Sequence, residues 1–111
     1  MNAVPLNEMT YATFAALLHS RFRVQTGEST PVELELVEAT TQQTGPAQVQ
    51  PGNFSLIFAG PQAAFLVQRT YLFEHEKLGA FHLFIVPIGK DQFGFRYEAV
   101  FNRPPNSGIG A

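Results

Sequence analysis

Two of the chain's three histidines flank one predicted hairpin, and histidine is the side chain that titrates near neutral pH. His75 stands between Glu74 and Glu76, and His82 follows the predicted turn. A histidine beside a carboxylate can bind a metal ion or act as a general base. The spacing therefore raises the hypothesis of a metal site at His75 and His82.

The turn between the two histidines decides whether these groups meet. Gly79 suits the left-handed position of a type I turn that is closed by a bulge. In that register Glu76 lies opposite Ala80, and His82 lies opposite Glu74 on the solvent side of the hairpin. The zinc-protease pattern His-Glu-x-x-His fails, because Gly79 stands where the second histidine is required. We interpret the histidines as a surface cross-strand pair and assign no catalytic, cofactor-binding or metal-ligating residue.

The other reactive side chains also give no indication of catalysis. Arg96 and Glu98 share one face of a predicted strand, where a site pair is conceivable and a surface salt bridge is the simpler interpretation. Asp91 is the only aspartate and falls in a predicted turn, so paired-aspartate chemistry is absent. The chain has no Gly-x-Ser-x-Gly elbow, phosphate loop or dinucleotide fingerprint. We predict that the protein is not an enzyme and needs no cofactor.

Composition excludes several other classes of function. The 111 residues are 45% hydrophobic and 14% charged, which fits one folded domain and not a disordered chain. The net charge of -2 argues against a nucleic-acid partner, and the absence of cysteine excludes disulfides and thiolate chemistry. No apolar run is long enough to span a bilayer, and no signal peptide is visible. We expect a location in the cytoplasm, or outside the cell only as part of an assembly.

The low charge also suggests a partner. An average globular chain has about 25% charged residues, well above the content of this one. Charge is depleted from the centres of protein interfaces, so the composition favours a surface that meets other chains. The alternative is an ordinary domain with a mildly polar, low-charge surface.

The elements that position these residues are one helix and a series of strands. Apolar residues at helical spacing predict a helix from Thr10 to His19, with Asn7 or Thr10 as its N-cap. After it, alternating patterns predict strands near residues 22–25, 32–38, 54–58, 70–75, 80–86 and 93–101. Residues 40–52 are predicted as the longest loop, and residues 62–68 as a connection without regular structure.

Three details of this strand pattern are specific enough to check. The doublet Leu36-Val37 breaks an alternation and predicts a bulge. Pro87 is predicted to end its strand, and residues 81–86, apolar at nearly every position, predict a strand that is covered on both faces. The last strand is predicted to bury an alternating set that leaves Arg96 and Glu98 on the other face. The members of that set are Phe93, Phe95, Tyr97, Ala99 and Phe101.

We predict an α+β, mostly β fold with about six antiparallel strands in a curled sheet or small barrel and one short N-terminal helix. Eight of the eleven phenylalanines lie on strands after Gly52, more bulk than one flat face needs. A closed sheet also avoids an exposed edge, and the helix then plugs one end or covers one face. The predicted globular domain spans residues 1–103, and residues 104–111 form a flexible tail.

An ordered set of short motifs runs along nearly the whole chain. The motifs are MTYATF at 9–14, FRV at 22–24, FSLIFAGP at 54–61, HEKLG at 75–79, LFIVPIG at 83–89 and RYEAVFN at 96–102. In this the chain resembles an uncharacterised bacterial family of similar length that is known only as a domain of unknown function. Members of that family often occur beside genes for phage-tail-collar, microcystin-dependent-type fibre proteins. The resemblance implies an accessory component of a tail-like or fibrous assembly and supplies no catalytic residues.

These observations lead to two predicted functions from different classes. The first is a non-enzymatic structural or interaction domain that associates with itself or docks on a fibre- or tail-type protein, with no nucleic acid and no membrane as partner. The alternative is a small barrel whose phenylalanine-rich interior leaves a cavity for a hydrophobic ligand, with weak catalytic ability not excluded.

Overall fold

The computed structural model describes residues 9–27, 29–41 and 53–102. One short helix and six strands form the regular structure of these residues. In chain order they are α1 (Tyr11–Ala15), β1 (Arg21–Gln25), β2 (Val32–Thr41), β3 (Asn53–Gly60), β4 (Arg69–His75), β5 (Gly79–Asp91) and β6 (Gly94–Asn102). The mostly β, antiparallel prediction is confirmed, while the predicted tail at 104–111 lies outside the described residues.

The six strands form a closed antiparallel barrel in the order β1-β2-β3-β6-β5-β4. It consists of two three-stranded units, β1-β2-β3 and β4-β5-β6, in which consecutive strands pair. Two further ladders, β1 with β4 and β3 with β6, join the units. Of the two predicted forms, the structure therefore has the barrel, in which each of the six described strands pairs with two neighbours.

Each three-stranded unit contains one irregularity in the ladder between its second and third strands. The register shifts between Leu36 and Glu38 in β2 and between Pro87 and Gly89 in β5. A bulge bends its strand and increases the local twist, which helps a small sheet to close. The bulge predicted at Leu36-Val37 is confirmed. The prediction that Pro87 ends its strand is wrong, because a bulge is a place where a strand tolerates a residue without an N–H donor.

The interior is filled by the inward side chains of the strands. On β3 the inward residues are Phe54, Leu56 and Phe58, as their alternation predicts. Near the middle of the barrel the ring centroids of Phe22, Phe58 and Phe73 lie 5.4–6.3 Å apart. Burying an aromatic side chain of this size contributes about 1.5–3 kcal/mol, so this cluster is a main source of stability.

Helix α1 closes one end of the barrel, which we call the plugged end. Thr10 is its N-cap, and Thr10 and Thr13 form a capping box in which each side chain accepts the other residue's backbone N–H. Phe14 is fully buried, with its ring centroid 5.6 Å from Phe101 and 6.2 Å from Phe54. The predictions that Thr10 can cap the helix and that the helix can plug an end are confirmed.

The helix ends at Ala15, although the apolar spacing predicts that it continues to His19. His19 has a positive φ of 73°, and its N–H donates to the carbonyl of Leu36 at 2.6 Å. The N–H of Leu36 in turn donates to the carbonyl of Ser20 at 3.1 Å. A helix this short depends on tertiary contacts, and here hydrogen bonds to β2 replace those of a further helical turn.

Residues 61–68, which we call the crossing segment, cover the opposite end of the barrel. They connect β3 to β4, which are not neighbours in the sheet, so the chain must cross the barrel end. Leu66 is buried there, and its N–H donates to the hydroxyl of the fully buried Tyr97 at 3.0 Å. The hydroxyl of Tyr71 donates to the carbonyl of Val67 at 2.8 Å. Two tyrosines of the barrel thus hold a segment that has no regular structure of its own.

The prediction that residues 81–86 form a strand covered on both faces is wrong. In β5, Leu83 and Ile85 point into the barrel, but His82 and Phe84 are exposed, so this strand is covered on one face only. An apolar run is typical of a strand between two layers, whereas each strand of a closed barrel has one face toward the interior.

The predicted inward set of β6 is correct at three positions, partly correct at Phe95 and wrong at Phe93. Tyr97, Ala99 and Phe101 are buried, and Phe95 is half-buried. Phe93 is 75% exposed, because β5 continues to Asp91 and the turn falls at residues 92 and 93. Alternation ends where the strand ends, so a residue in the turn does not follow it.

Candidate functional site

The hairpin formed by β4 and β5 separates the two histidines that raised the hypothesis of a metal site. His75 lies opposite Gly79, and His82 lies opposite Leu72, so the predicted register with Glu74 opposite His82 is wrong. His75 is 3% exposed on the inner side of the barrel, whereas His82 is exposed on the outer side. The turn is one in which Gly79, with φ of 77°, already pairs as the first residue of β5.

Opposite faces of one hairpin do not bring two ligands to one ion. Within residues 9–27, 29–41 and 53–102, no three histidine, aspartate or glutamate side chains come together as a metal site would require. The interpretation of His75 as a surface residue is equally wrong. It is a buried polar side chain, and its partners determine what it can do.

His75 makes two hydrogen bonds through its two ring nitrogens. The backbone N–H of Lys77 donates to Nδ1 at 3.0 Å, and Nε2 lies 3.0 Å from the hydroxyl oxygen of Ser20. The Ser20 hydroxyl donates to the carbonyl of Leu17 at 2.6 Å. Because the Ser20 hydroxyl donates its proton to Leu17, its oxygen must accept a hydrogen bond from Nε2–H of His75. Nδ1 accepts from Lys77 and therefore has no proton, so the ring is neutral with its proton on Nε2.

A serine beside a histidine is the core of many hydrolases, and here the hydrogen bonds run in the wrong direction. A catalytic histidine accepts the serine proton at one nitrogen, while a carboxylate holds a proton on the other. His75 instead donates to Ser20, and its Nδ1 accepts from Lys77 N–H. The pair is therefore arranged to hold chain segments together and not to activate a nucleophile.

Burial lowers the pKa of His75 below its ordinary value of 6.5, and it is the largest cause. Glu76 acts in the opposite direction, and the positive charges of Lys77 and Arg23 lower the pKa further. The ring of Phe22 lies 4.5 Å from the imidazole, centroid to centroid, which adds to its apolar surroundings. These surroundings favour the neutral imidazole that the hydrogen bonds require.

Arg96 and Glu98, the second candidate pair, do not meet either. Arg96 forms an ion pair with Asp91 at 2.9 Å, across the turn between β5 and β6. Asp91 also accepts the backbone N–H groups of Phe93 and Gly94, at 2.8 and 3.1 Å. These contacts stabilise the turn, so the pair has a structural role.

Two depressions lie on the outer surface of the described barrel. One, of about 290 Å³, lies over the ladder between β3 and β6 and includes Ser55, Glu98 and Val100 in its lining. The other, of about 550 Å³, is lined by charged residues such as Arg21, Glu33 and Arg96 and by the exposed Phe93. Both are shallow and open to solvent, unlike the concave sites that enclose small ligands.

Ion pairs occupy the outer surface of β1 and β2. Arg21 pairs with Glu33 at 3.5 Å, and His19 lies 3.3 Å from Glu35. Arg23 reaches Glu74 of β4 at 3.7 Å. Exposed pairs of this kind contribute about 0–1 kcal/mol each, so they matter more for the polarity of this side than for stability.

The end of the barrel near the crossing segment also exposes large apolar side chains. Four large hydrophobic side chains are at least half exposed in the crossing segment and the arms and turn of the β5–β6 hairpin. They are Phe65 (53%), Val67 (53%), Ile88 (51%) and Phe93 (75%), and we call them the crossing-end patch. The two parts are in contact, since the rings of Phe65 and Phe95 lie 5.0 Å apart and the Gln62 amide donates to the carbonyl of Gln92.

Sequence patterns did not reveal this patch, because no periodicity marks a crossing segment or a turn. The signal available was composition, which predicted a surface poor in charge without locating it. Phe84 and Val100, at 48% and 65% exposure, are further apolar side chains on the outer face of β5 and β6.

Fold and site together define a small, aromatic-filled antiparallel barrel, plugged by a helix at one end and covered by a crossing segment at the other. The family model for the domain of unknown function DUF6916 matches residues 9–101, and the chain belongs to that family. No curated protein and no solved structure matches the chain. Among the described residues, no helix is both long and apolar enough to cross a membrane.

Proposed function

We propose that this protein is a non-enzymatic interaction domain that uses the crossing-end patch to associate with a second copy of itself. The observation that carries the proposal is the exposure of two phenylalanines, Phe65 and Phe93, at the same end of a small barrel. Large apolar side chains are expensive to leave in water, and contiguous exposed patches often mark binding surfaces.

The size of the patch suits the centre of a protein interface. An aromatic side chain has an area of about 150–250 Å², so Phe65 at 53% and Phe93 at 75% exposure together present about 200–300 Å². A stable interface buries about 800 Å² on each partner, with an apolar centre and a polar rim. The patch fits such a centre, and Gln62, Lys90 and Gln92 are polar neighbours available for the rim.

The family resemblance supports a second candidate partner for the same patch. This partner is a tail- or fibre-type protein, on which the domain docks as an accessory component. Such a role places the domain in the cytoplasm, or outside the cell as part of the assembly. The alternative, a hydrophobic-ligand barrel with weak catalytic ability, gains no support from the described interior, where aromatic rings are in mutual contact.

The test is the mass of the protein in solution, measured by size-exclusion chromatography with light scattering over a range of concentrations. We expect a dimer or higher oligomer for the parent and a monomer for the double substitution Phe65→Ser and Phe93→Ser. Val100→Ser is the matched control, because Val100 is 65% exposed on β6 and outside the patch.

The outcome distinguishes the partners. A monomeric parent that binds a neighbouring fibre protein through Phe65 and Phe93 identifies the fibre protein as the partner and excludes the second copy. A parent that is monomeric at every concentration and binds no such protein refutes the proposal. Loss of association in Val100→Ser, with none in the double variant, shows that the interface lies elsewhere.

A further inference from the structure

His75 joins three segments of the chain at the plugged end of the barrel. It is the last residue of β4, its Nδ1 accepts from Lys77 in the turn before β5, and its Nε2–H donates to Ser20. Ser20 belongs to the linker between α1 and β1, residues 16–20, and its hydroxyl donates a hydrogen bond to the carbonyl of Leu17. One side chain thus connects the β4–β5 turn with the linker that carries the helix.

Besides the packing of Leu17 against the core, the linker is attached to β2, where the His19 side chain lies 3.3 Å from Glu35. Its backbone is attached to β2 through the two hydrogen bonds that His19 and Ser20 form with Leu36. His19 in this linker has a φ of 73°, a conformation that residues other than glycine adopt at a cost. The contact between His75 and Ser20 is a side-chain hydrogen bond that joins this strained linker to the end of β4.

The network is complete for only one charge state of the ring. Neutral imidazole with its proton on Nε2 satisfies Lys77 N–H, Ser20 and both ring nitrogens. Protonation adds a hydrogen to Nδ1, which then faces the N–H of Lys77 as donor against donor. The Lys77 hydrogen bond must break, and a positive charge is left at a position that is 3% exposed.

The charged groups around His75 do not remove this cost. Arg23 from β1 and Lys77 from the turn repel a positive ring, and Glu76 from the turn attracts it. The linker contributes the uncharged Ser20, β1 also contributes the apolar Phe22, and β5 places a glycine opposite. Two repelling groups and burial oppose one attracting carboxylate.

We propose that His75 is a pH-sensitive latch, which in its neutral form fastens the β4–β5 turn to the linker of α1 and which protonation opens. Opening frees the turn at residues 76–78 and loosens the linker and helix that plug the barrel. The latch is independent of the crossing-end patch, which lies at the other end.

The direction of the pH effect follows from the lowered pKa of His75 in the folded protein. Unfolded chains begin to take up the proton near the ordinary pKa of 6.5, while the folded form resists it. The contribution of neutral His75 to the free energy of unfolding is therefore fully present above pH 6.5. It declines as the pH falls from 6.5 toward the pKa of His75 in the folded protein, and it stops declining below that pKa, where both states are protonated.

The decisive measurement is NMR of the imidazole nitrogens and of backbone amide exchange in the full chain between about pH 8 and pH 5. We expect His75 to be the Nε2–H tautomer at high pH and to titrate below 6.5. Amide exchange at Ser20 and Lys77, corrected for its intrinsic pH dependence, should accelerate at least tenfold more than that of β3 amides as His75 titrates.

Two variants separate the latch from general acid sensitivity. His75→Gln removes the titrating group, so its thermal stability should lose the decline between about pH 6.5 and pH 5, whereas His82→Gln, altered on the outer face of the same hairpin, should retain it. If His75→Gln does not fold, the parent's titration decides alone. An Nδ1–H tautomer, a pKa at or above 6.5, or equal acceleration throughout the barrel overturns the latch.

Discussion

Replacing Tyr97 by phenylalanine tests whether a single hydroxyl holds the crossing segment over the barrel. The change keeps the ring in the core and removes the acceptor of the Leu66 N–H, which donates to it at 3.0 Å. That N–H is buried and cannot turn to water, so it is left without a partner. Leaving a buried donor unsatisfied costs about 1–3 kcal/mol.

The expected loss is large on the scale of this protein. A small domain is stable by about 5–15 kcal/mol, and each kcal/mol changes its melting temperature by about 4–8 °C at this size. Tyr97→Phe should therefore lower the melting temperature by about 5–20 °C, measured by calorimetry. Amide exchange at Leu66 should accelerate as well, because the hydrogen bond that protects it is gone.

Tyr71→Phe is the matched control. It removes a hydroxyl that donates to the carbonyl of Val67, and Val67 is 53% exposed, so water can replace the lost donor. We expect a cost of only about 0.5–1.5 kcal/mol. If Tyr97→Phe melts like the parent, or if Tyr71→Phe is the more damaging change, the hydroxyl of Tyr97 does not anchor the crossing segment and the reasoning fails.

Four further substitutions, one of them a control, test the plug, the tight contact between strands and the turn. Phe14→Ala should cost about 3–5 kcal/mol in chemical denaturation, since it empties the plugged end; a loss below about 1 kcal/mol would mean that α1 is dispensable. Gly94→Ala should destabilise by more than about 1 kcal/mol, because φ is 150° and a Cβ would collide with the carbonyl oxygen of Gly60. Gly89→Ala, with open space around it, should change little, and equal effects at the two glycines would refute this argument. Arg96→Ala should cost about 0–1 kcal/mol by thermal melting, and a collapse would show that its ion pair does more than stabilise a turn.

Local patterns predicted the parts of the fold that local physics determines. Alternation placed Phe54, Leu56 and Phe58 in the core, because side chains of a strand alternate whatever the strand pairs with. The broken alternation at Leu36-Val37 predicted a bulge, and Thr10 before a short apolar stripe predicted a cap. Each of these depends on a few neighbouring residues.

The burial of His75 was also within reach of the sequence. Tyr71, Phe73 and His75 occupy alternate positions of one strand, and the first two are large apolar residues that point inward. The flanking glutamates suggested a surface position instead, and that interpretation was wrong. Continuing the alternation to the end of the strand would have placed the histidine inside the barrel, where it must find hydrogen-bond partners.

The partners themselves could not be predicted. Ser20 and His75 are 55 positions apart, and their contact depends on the β1–β4 ladder that closes the barrel. The exposure of Phe93 depends on where the strand pairing stops, and the course of the crossing segment depends on which strands are neighbours. These features belong to the topology, which no short stretch of sequence encodes.

The same topology has a consequence for how the chain folds. Within each three-stranded unit the strands pair with their neighbours in the sequence, but the ladders that join the units bring distant residues together, such as Gln25 and Glu74, which are 49 positions apart. Loop-closure entropy must be lost before these distant contacts form, and folds dominated by them need about milliseconds to seconds. The two units can form early, but until both seams close each presents a sheet edge and an open aromatic face. The aggregation risk of this protein therefore lies in the interval before closure, and substitutions that weaken the β1–β4 or β3–β6 seam should lower the yield of refolding more than their cost in stability indicates.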